Sequence, residues 1–294
     1  MSAMHYSTYD LFLFSLVLLA SAVVLLGNIL FLLLIQANRH LHTPMYFFLS
    51  QLSIMDMIMM STVVPKMAVN LLSGRKSISW DACATQIFLV VMVTGAECFL
   101  LAVMAYDRYV AVCHPLRYPL LINWKACTLL ALASWMAGVS IIDMVVVMTF
   151  PYCGLREVNH FFCEMLSLLK LACIDTSIFD NVIYACCIFM LFLPFSIIVA
   201  SYAHIQSACS AQAGKKALAI SSSHLTPVFL FYGAAMFIYL RPRRYRAPSH
   251  DKVISIFYTI LTPMLSPLIY SLRNQEVMGA LRKALDHCRI GSQH

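Results

Sequence analysis

Charge is scarce in this chain. Asp, Glu, Lys and Arg together make up 11 % of 294 residues while 61 % are hydrophobic, against roughly 25 % charged and about 45–50 % apolar in a soluble domain. That balance excludes an ordinary water-soluble fold. The chain also lacks the roughly ten-residue apolar and polar alternation of a lipid-facing barrel strand, which excludes a β-barrel. It shows neither repeated halves nor the substrate-binding helix breaks common in transporters. No nucleophile, base and oxyanion donor can be placed together, which argues against an enzyme. No Asn-X-Ser/Thr sequon occurs anywhere, so N-linked glycosylation has no acceptor. With no low-complexity tract and no soluble module, residues 1–294 read as one domain.

What remains is seven long apolar runs, at about residues 11–35, 45–72, 84–113, 126–150, 178–204, 216–240 and 252–272. Each is close to or above the roughly 20 residues an α-helix needs to cross a bilayer. The fold class is therefore an all-α membrane protein, a seven-helix bundle, with the two termini on opposite sides. The first run exceeds the core of a signal peptide and has no basic flank before it, and is read as a retained helix. Beyond the seventh run, residues 274–287 carry Val277, Leu281 and Leu285 at helical spacing beside Arg282 and Lys283. That pattern suits a short amphipathic helix on an anionic membrane surface.

Orientation is poorly served by charge, because Lys and Arg divide almost evenly between the two faces. Cysteine says more. Cys153, Cys163 and Cys173 crowd the long connection between the fourth and fifth runs, and Cys83 opens the third on the same face. Such clustering suits disulfides in an oxidising compartment, so that face is expected to be extracellular. Free thiols, or zinc held with His160, are the competing readings. The connection is long enough to fold over the mouth of the bundle as a lid.

Ionisable groups inside membrane helices are costly and mark function. Asp56 and Glu97 sit deep in the second and third runs, with Asn28 in the first. The two carboxyls are expected either to hold a monovalent cation such as sodium, with Ser53, Asn28 and Ser266 adding oxygens, or to share a proton, because close carboxylates rarely both ionise. The third run closes in MAYDRYVAVCHPLRY, where Asp107 and Arg108 are adjacent. A charge pair at that depth points to a switch. Pro65, Pro194, Pro227, Pro263 and Pro267 fall within runs and give the rods places to bend.

Gly27-Asn28, PMYFFLSQLSIMD, MAYDRYVAVCHPLRYP, SYAHI, SSSHL, FYG and PMLSPLIYSLRN occur in that order. Across nearly its whole length the chain resembles the rhodopsin-like G-protein-coupled receptors, and within them the olfactory (odorant) receptors. The resemblance implies a small volatile odorant as ligand, an olfactory stimulatory heterotrimeric G protein as partner, and cAMP as output. It implies a multi-pass plasma-membrane protein with an extracellular N-terminus and a cytoplasmic C-terminus, with no partner nucleic acid. By position, Asp107, Arg108, Tyr109, Tyr202 and Tyr270 correspond to the G-protein switch, and Tyr232 to the residue coupling the pocket floor to it. The family's disulfides would be Cys83 to Cys163 and Cys153 to Cys173. Ser266 stands where the family has Asn, and the stretch from Tyr202 to Lys215 is shorter than usual.

Amine receptors of the wider family carry an acid in the upper third helix, and retinal-binding ones a Lys in the seventh. Neither residue is present at the corresponding positions, so the ligand is expected to be neutral and non-covalent. Counting from the motifs, the candidate pocket presents Val90, Val91, Thr94, Gly95, Cys186, Cys187, Met190, Tyr232, Ala235, Met236, Tyr239, Ile256 and Thr259. An apolar wall with soft Met and Cys suits small guests held mainly by dispersion. A thiol ligand assisted by Cu(I) is a further reading of the sulfur groups. The competing functional readings are an ion-coupled transporter using Asp56 and Glu97, and a lipid or metabolite receptor outside the olfactory system.

Overall fold

The computed structural model describes residues 8–73, 78–139, 163, 173, 177–208, 228–229, 231–237 and 277–279. Among these residues every regular element is helical and none is a strand. The elements are α1 (Thr8–Ala37), a 3-10 turn (Arg39–Leu41), α2 (Pro44–Ser73), α3 (Trp80–Cys113), α4 (Tyr118–Leu121), α5 (Trp124–Gly138) and α6 (Ser177–Ala208). Residues 231–237 of the sixth run are also helical. Four stretches, Phe14–Ala37, Pro44–Asn70, Trp80–Cys113 and Asn181–Ser207, are long and apolar enough to cross a membrane. They belong to the first, second, third and fifth runs, and α5 is the described part of the fourth. The seventh run and most of the tail lie outside the described residues.

Local chemistry sets where the helices begin. Ser79 caps α3, its hydroxyl accepting from Ala82 N–H at 3.4 Å, and Asp81 in the first turn complements the positive end of the helix dipole. Asn123 caps α5 through Oδ1, which accepts from Ala126 N–H at 2.9 Å. Pro44 opens α2, where its missing N–H costs nothing. Between α1 and α2, Asn38 Nδ2 returns to the Leu34 carbonyl at 2.9 Å and Leu41 tucks into the core. The chain therefore reverses within a few residues while keeping its carbonyls bonded.

At the centre stands α3, which packs against α2, α5 and α6 and touches α4, while α1 lies on α2. Its Val93, Ala96 and Leu100 are fully buried. The outer helices turn large apolar side chains outward, including Leu19, Leu26 and Leu33 on α1 and Phe189, Phe192 and Val199 on α6. In water such a surface would aggregate; facing lipid tails it is the expected exterior. Helices apolar on every side fit that setting, with one face on the protein and the other on lipid.

Two glycines decide how closely α3 and α5 approach. A Cβ on Gly138 would overlap the Met92 carbonyl oxygen and lie 2.7 Å from Ala96 N, and one on Gly95 would lie 2.9 Å from Gly138 Cα. The backbones touch, which is how membrane helices gain dispersion energy when lipid removes any hydrophobic drive. Gly138→Ala is therefore expected to separate the helices and abolish correctly folded protein at the cell surface. Gly95→Ala should be milder, because one of its obstacles is the movable Met190 methyl at 3.1 Å. Surface labelling of the two variants checks the order.

Candidate ligand chamber and switch

One end of α3 carries the switch residues. Asp107 is 2 % exposed, and the Tyr118 hydroxyl donates to its Oδ1 at 2.8 Å. The adjacent Arg108 adds a favourable charge, but the hydrogen bond is made by Tyr118 on α4. Tyr118 stands eleven residues on in the same motif. Burial, and then the Asp107 charge, push the Tyr118 phenol above its ordinary value. It remains a protonated donor throughout the physiological range.

Arg108 points elsewhere. Its Nε is buried with no hydrogen-bond partner and borders a cavity lined by Met45, Leu101, Met104, Ala105, Tyr202 and Val228. The cavity offers about 10 Å³ to water, space for about one molecule. The structure thus brings Arg108 of α3, Tyr202 of α6 and Val228 of the sixth run to one void. Tyr109 instead turns toward His114, with its hydroxyl 3.2 Å from Nε2, and toward the His204 ring at 5.7 Å. Tyr270 lies outside the described residues.

Midway along the bundle, Asp56 and Glu97 are both buried and their carboxyls meet closely enough to share a hydrogen bond. Asp56 Oδ2 has no hydrogen-bond partner, and neither has Asn28 Oδ1, whose amide donates to the Val24 carbonyl at 3.0 Å. Next to Glu97, the Cys98 carbonyl accepts from the Tyr232 hydroxyl at 2.9 Å. Tyr232 is 1 % exposed and packs between Phe231 and Phe195, with ring centroids 5.5 and 5.3 Å away. This bond fastens the sixth run to the polar centre of α3.

Above that centre lie the candidate ligand positions. Val90 and Thr94 are buried on α3, Val91 is half-buried, Ala235 is buried and Met236 half-buried on the sixth run, and Cys186, Cys187 and Met190 are half-buried on α6. Gly95 is taken up by the contact with Gly138 and the Met190 methyl. Tyr239, Ile256 and Thr259 lie outside the described residues. Ser15, Ser21, Thr62, Thr128 and Ser134 all bond a carbonyl four residues back. Thr94 differs: its buried hydroxyl has no partner.

The opposite end of α3 is covalently tied. Cys83 and Cys163 form a disulfide with Cα atoms 5.4 Å apart. Cys173 is also disulfide-bonded, while Cys153 lies outside the described residues. Gln86 accepts the Cys163 N–H at 2.8 Å and donates to the Thr62 carbonyl at 2.8 Å. Its only sequence signal was a polar side chain one turn below Cys83. No group of three or more His, Cys, Asp or Glu side chains suited to a metal ion exists among the described residues.

The family model described as olfactory receptor matches residues 14–287. This chain belongs to the olfactory receptor family. Among its relatives, human Olfactory receptor 2V2 is 68 % identical over 295 residues, covering 98 % of this chain and 94 % of the relative. Mouse Olfactory receptor 2V1 is 65 % identical over 294 residues, covering 98 % and 93 %. Membership makes the chain a seven-span membrane receptor and not an enzyme, and olfactory receptors in general need no cofactor. For the receptor, Tyr118→Phe would leave the buried Asp107 short of its donor, a loss of about 1–3 kcal/mol. The expected result is a lower melting temperature for the purified receptor; an unchanged melt would mean that water replaces the phenol.

Proposed function

We propose that this receptor takes small, neutral, mostly apolar volatile odorants between α3, α6 and the sixth run, and activates a stimulatory olfactory-type heterotrimeric G protein to raise cAMP. The observation that carries the ligand class is the chamber wall. Its described side chains bear no charge, and the buried hydroxyl of Thr94 lacks a partner. A guest with one carbonyl or hydroxyl would satisfy Thr94 and fill the remainder by dispersion. An odorant activates only as far as it binds the active arrangement better than the resting one. Tyr232 is where that difference is read, because it packs beside the chamber and bonds α3 next to Glu97.

The switch in this reading is Asp107, Arg108, Tyr109, Tyr202 and Tyr270. Its support is the void that Arg108 and Tyr202 share, which a moving sixth run would reshape at Val228. The receptor sits in the plasma membrane with its N-terminus outside and its C-terminus in the cytoplasm. The disulfide end of α3 then faces the oxidising side and Arg108 the G protein. A sodium ion between Asp56 and Glu97 is favoured by the unpartnered acceptors at Asp56 Oδ2 and Asn28 Oδ1; a shared proton is the competing state.

An odorant panel with a cAMP reporter tests this. Oxygenated volatiles should give saturable responses, and Arg108→Ala should abolish them while surface receptor stays measurable. Full signalling by that variant would defeat the switch assignment. Thr94→Val should weaken oxygenated agonists roughly fivefold, the loss of one hydrogen bond of about 1 kcal/mol, and leave any hydrocarbon agonist unchanged. Equal loss for both classes would remove Thr94 from the hydrogen-bonding role.

A further inference from the structure

Two thiols stand side by side on α6. Cys186 and Cys187 are half-buried, and neither belongs to a disulfide. Residues four apart share a helix face. Cys187 stands four residues from Ile183 and four from Leu191, both buried, and Cys186 four from Met190, whose methyl would lie 3.1 Å from a Cβ on Gly95. Val182 and Phe189 take the opposite, exposed half of the helix. The two thiols therefore belong to the half of α6 that meets the bundle, and they are not sealed off as Cys98 and Cys127 are, both fully buried.

Their depth follows from two contacts. Met190 meets Gly95, and Tyr202 shares a void with Arg108, so α3 and α6 run in the same direction and keep nearly the same register. The thiols come one turn before Met190, and Thr94 comes just before Gly95. At a rise of about 1.5 Å per residue, thiols and hydroxyl differ in depth by about 3–5 Å. Thr94 is 9 % exposed and its hydroxyl has no hydrogen-bond partner. A soft nucleophile and a buried donor are thus held a fixed short step apart.

That spacing suits one class of guest. A thiol sulfur is soft and nucleophilic and adds to soft carbon electrophiles. In an α,β-unsaturated aldehyde or ketone the electrophilic β-carbon lies three bonds from the carbonyl oxygen. We propose that the Cys186–Cys187 pair is a covalent capture site for α,β-unsaturated carbonyl volatiles, with the Thr94 hydroxyl donating to the carbonyl oxygen. The site rests on the chamber reading and names a subclass of its guests. Such a guest enters neutral and unbonded. A sulfur–carbon bond then forms at the β-carbon, the carbon–carbon π pair shifts to give an enolate, and Thr94 stabilises the oxygen where charge develops. The thiol proton leaves as sulfur bonds, and one proton returns at the α-carbon as the enolate collapses. The product is a saturated carbonyl thioether that keeps every atom of both reactants, so no oxidant or reductant is required. Holding the thiol against the β-carbon replaces a chance encounter, and the bond makes occupancy outlast the free odorant.

The test uses the full-length receptor in lipid nanodiscs, with cinnamaldehyde as the probe and hydrocinnamaldehyde as its saturated counterpart. Adducts are read by intact mass and peptide mapping. The wild type should gain the whole mass of cinnamaldehyde at Cys186 or Cys187, at a rate that saturates with the probe and falls when hydrocinnamaldehyde competes. A gain short by one water would mean an imine on an amine and would overturn the proposal. Cys113, half-buried at the other end of α3, is the reference for unassisted addition. The chamber thiols should react roughly tenfold faster than Cys113, and equal rates would overturn the site. Thr94→Val should cut the rate at saturating probe roughly tenfold, equivalent to about 1.4 kcal/mol, with Cys113 unaffected; an unchanged rate would remove Thr94 from the site. Cys186→Ser and Cys187→Ser assign the bond, and a chamber adduct that survives in the double variant would overturn the capture site. Cinnamaldehyde that signals reversibly with no adduct would also overturn it and leave the odorant reading standing. Saturable, competed adduct formation without any cAMP response would instead fail the signalling reading and keep the site.

Discussion

A polar group inside hydrocarbon must find its partner within the protein, because no water is at hand to replace it. The interior of this receptor is arranged around that requirement. The side chains that bear it gather on α3. Gln86 is satisfied between α2 and Cys163, Glu97 meets Asp56, the Cys98 carbonyl receives Tyr232, and Asp107 receives Tyr118. Together these contacts join α3 to α2, to Cys163, to the sixth run and to α4. The helix is central both because its small residues let neighbours approach and because its polar groups oblige them to.

At several buried positions among the described residues the requirement is not met. Thr94, Asp56 Oδ2, Asn28 Oδ1 and Arg108 Nε are buried acceptors or donors left without a partner. They are distributed from the chamber, through the midpoint, to the Arg108 void. An unmet hydrogen bond is a standing cost in one arrangement that another arrangement, a ligand, an ion or a water relieves.

Much of this was legible from the residues. The length and uniform apolarity of the runs gave helices rather than strands, and the depth of Asp56, Glu97 and the Asp107-Arg108 pair marked the groups that needed explaining. The Cys83 to Cys163 bridge followed from the family resemblance and stands in the structure. Hydropathy was less informative about partners. It carries no information on which side chain of another helix a given group meets, so Tyr118 and Gln86 passed unnoticed. The close approach of Gly95 to Gly138 is likewise a contact between two helices that the position of Gly95 along α3 does not announce.

Apolar length and scarce charge are properties of composition and order, and they suffice to place this chain in lipid as a bundle of helices. The sequence also determined the family, through motifs spread along the whole chain. Tertiary structure alone decided the pairings: that Tyr118 holds Asp107, that Arg108 shares a void with Tyr202, and that Gln86 ties Cys163 to α2. Those contacts depend on helix rotation and crossing distance, set where the backbones of Gly95 and Gly138 meet, and no periodicity in one helix specifies the angle at which another approaches it.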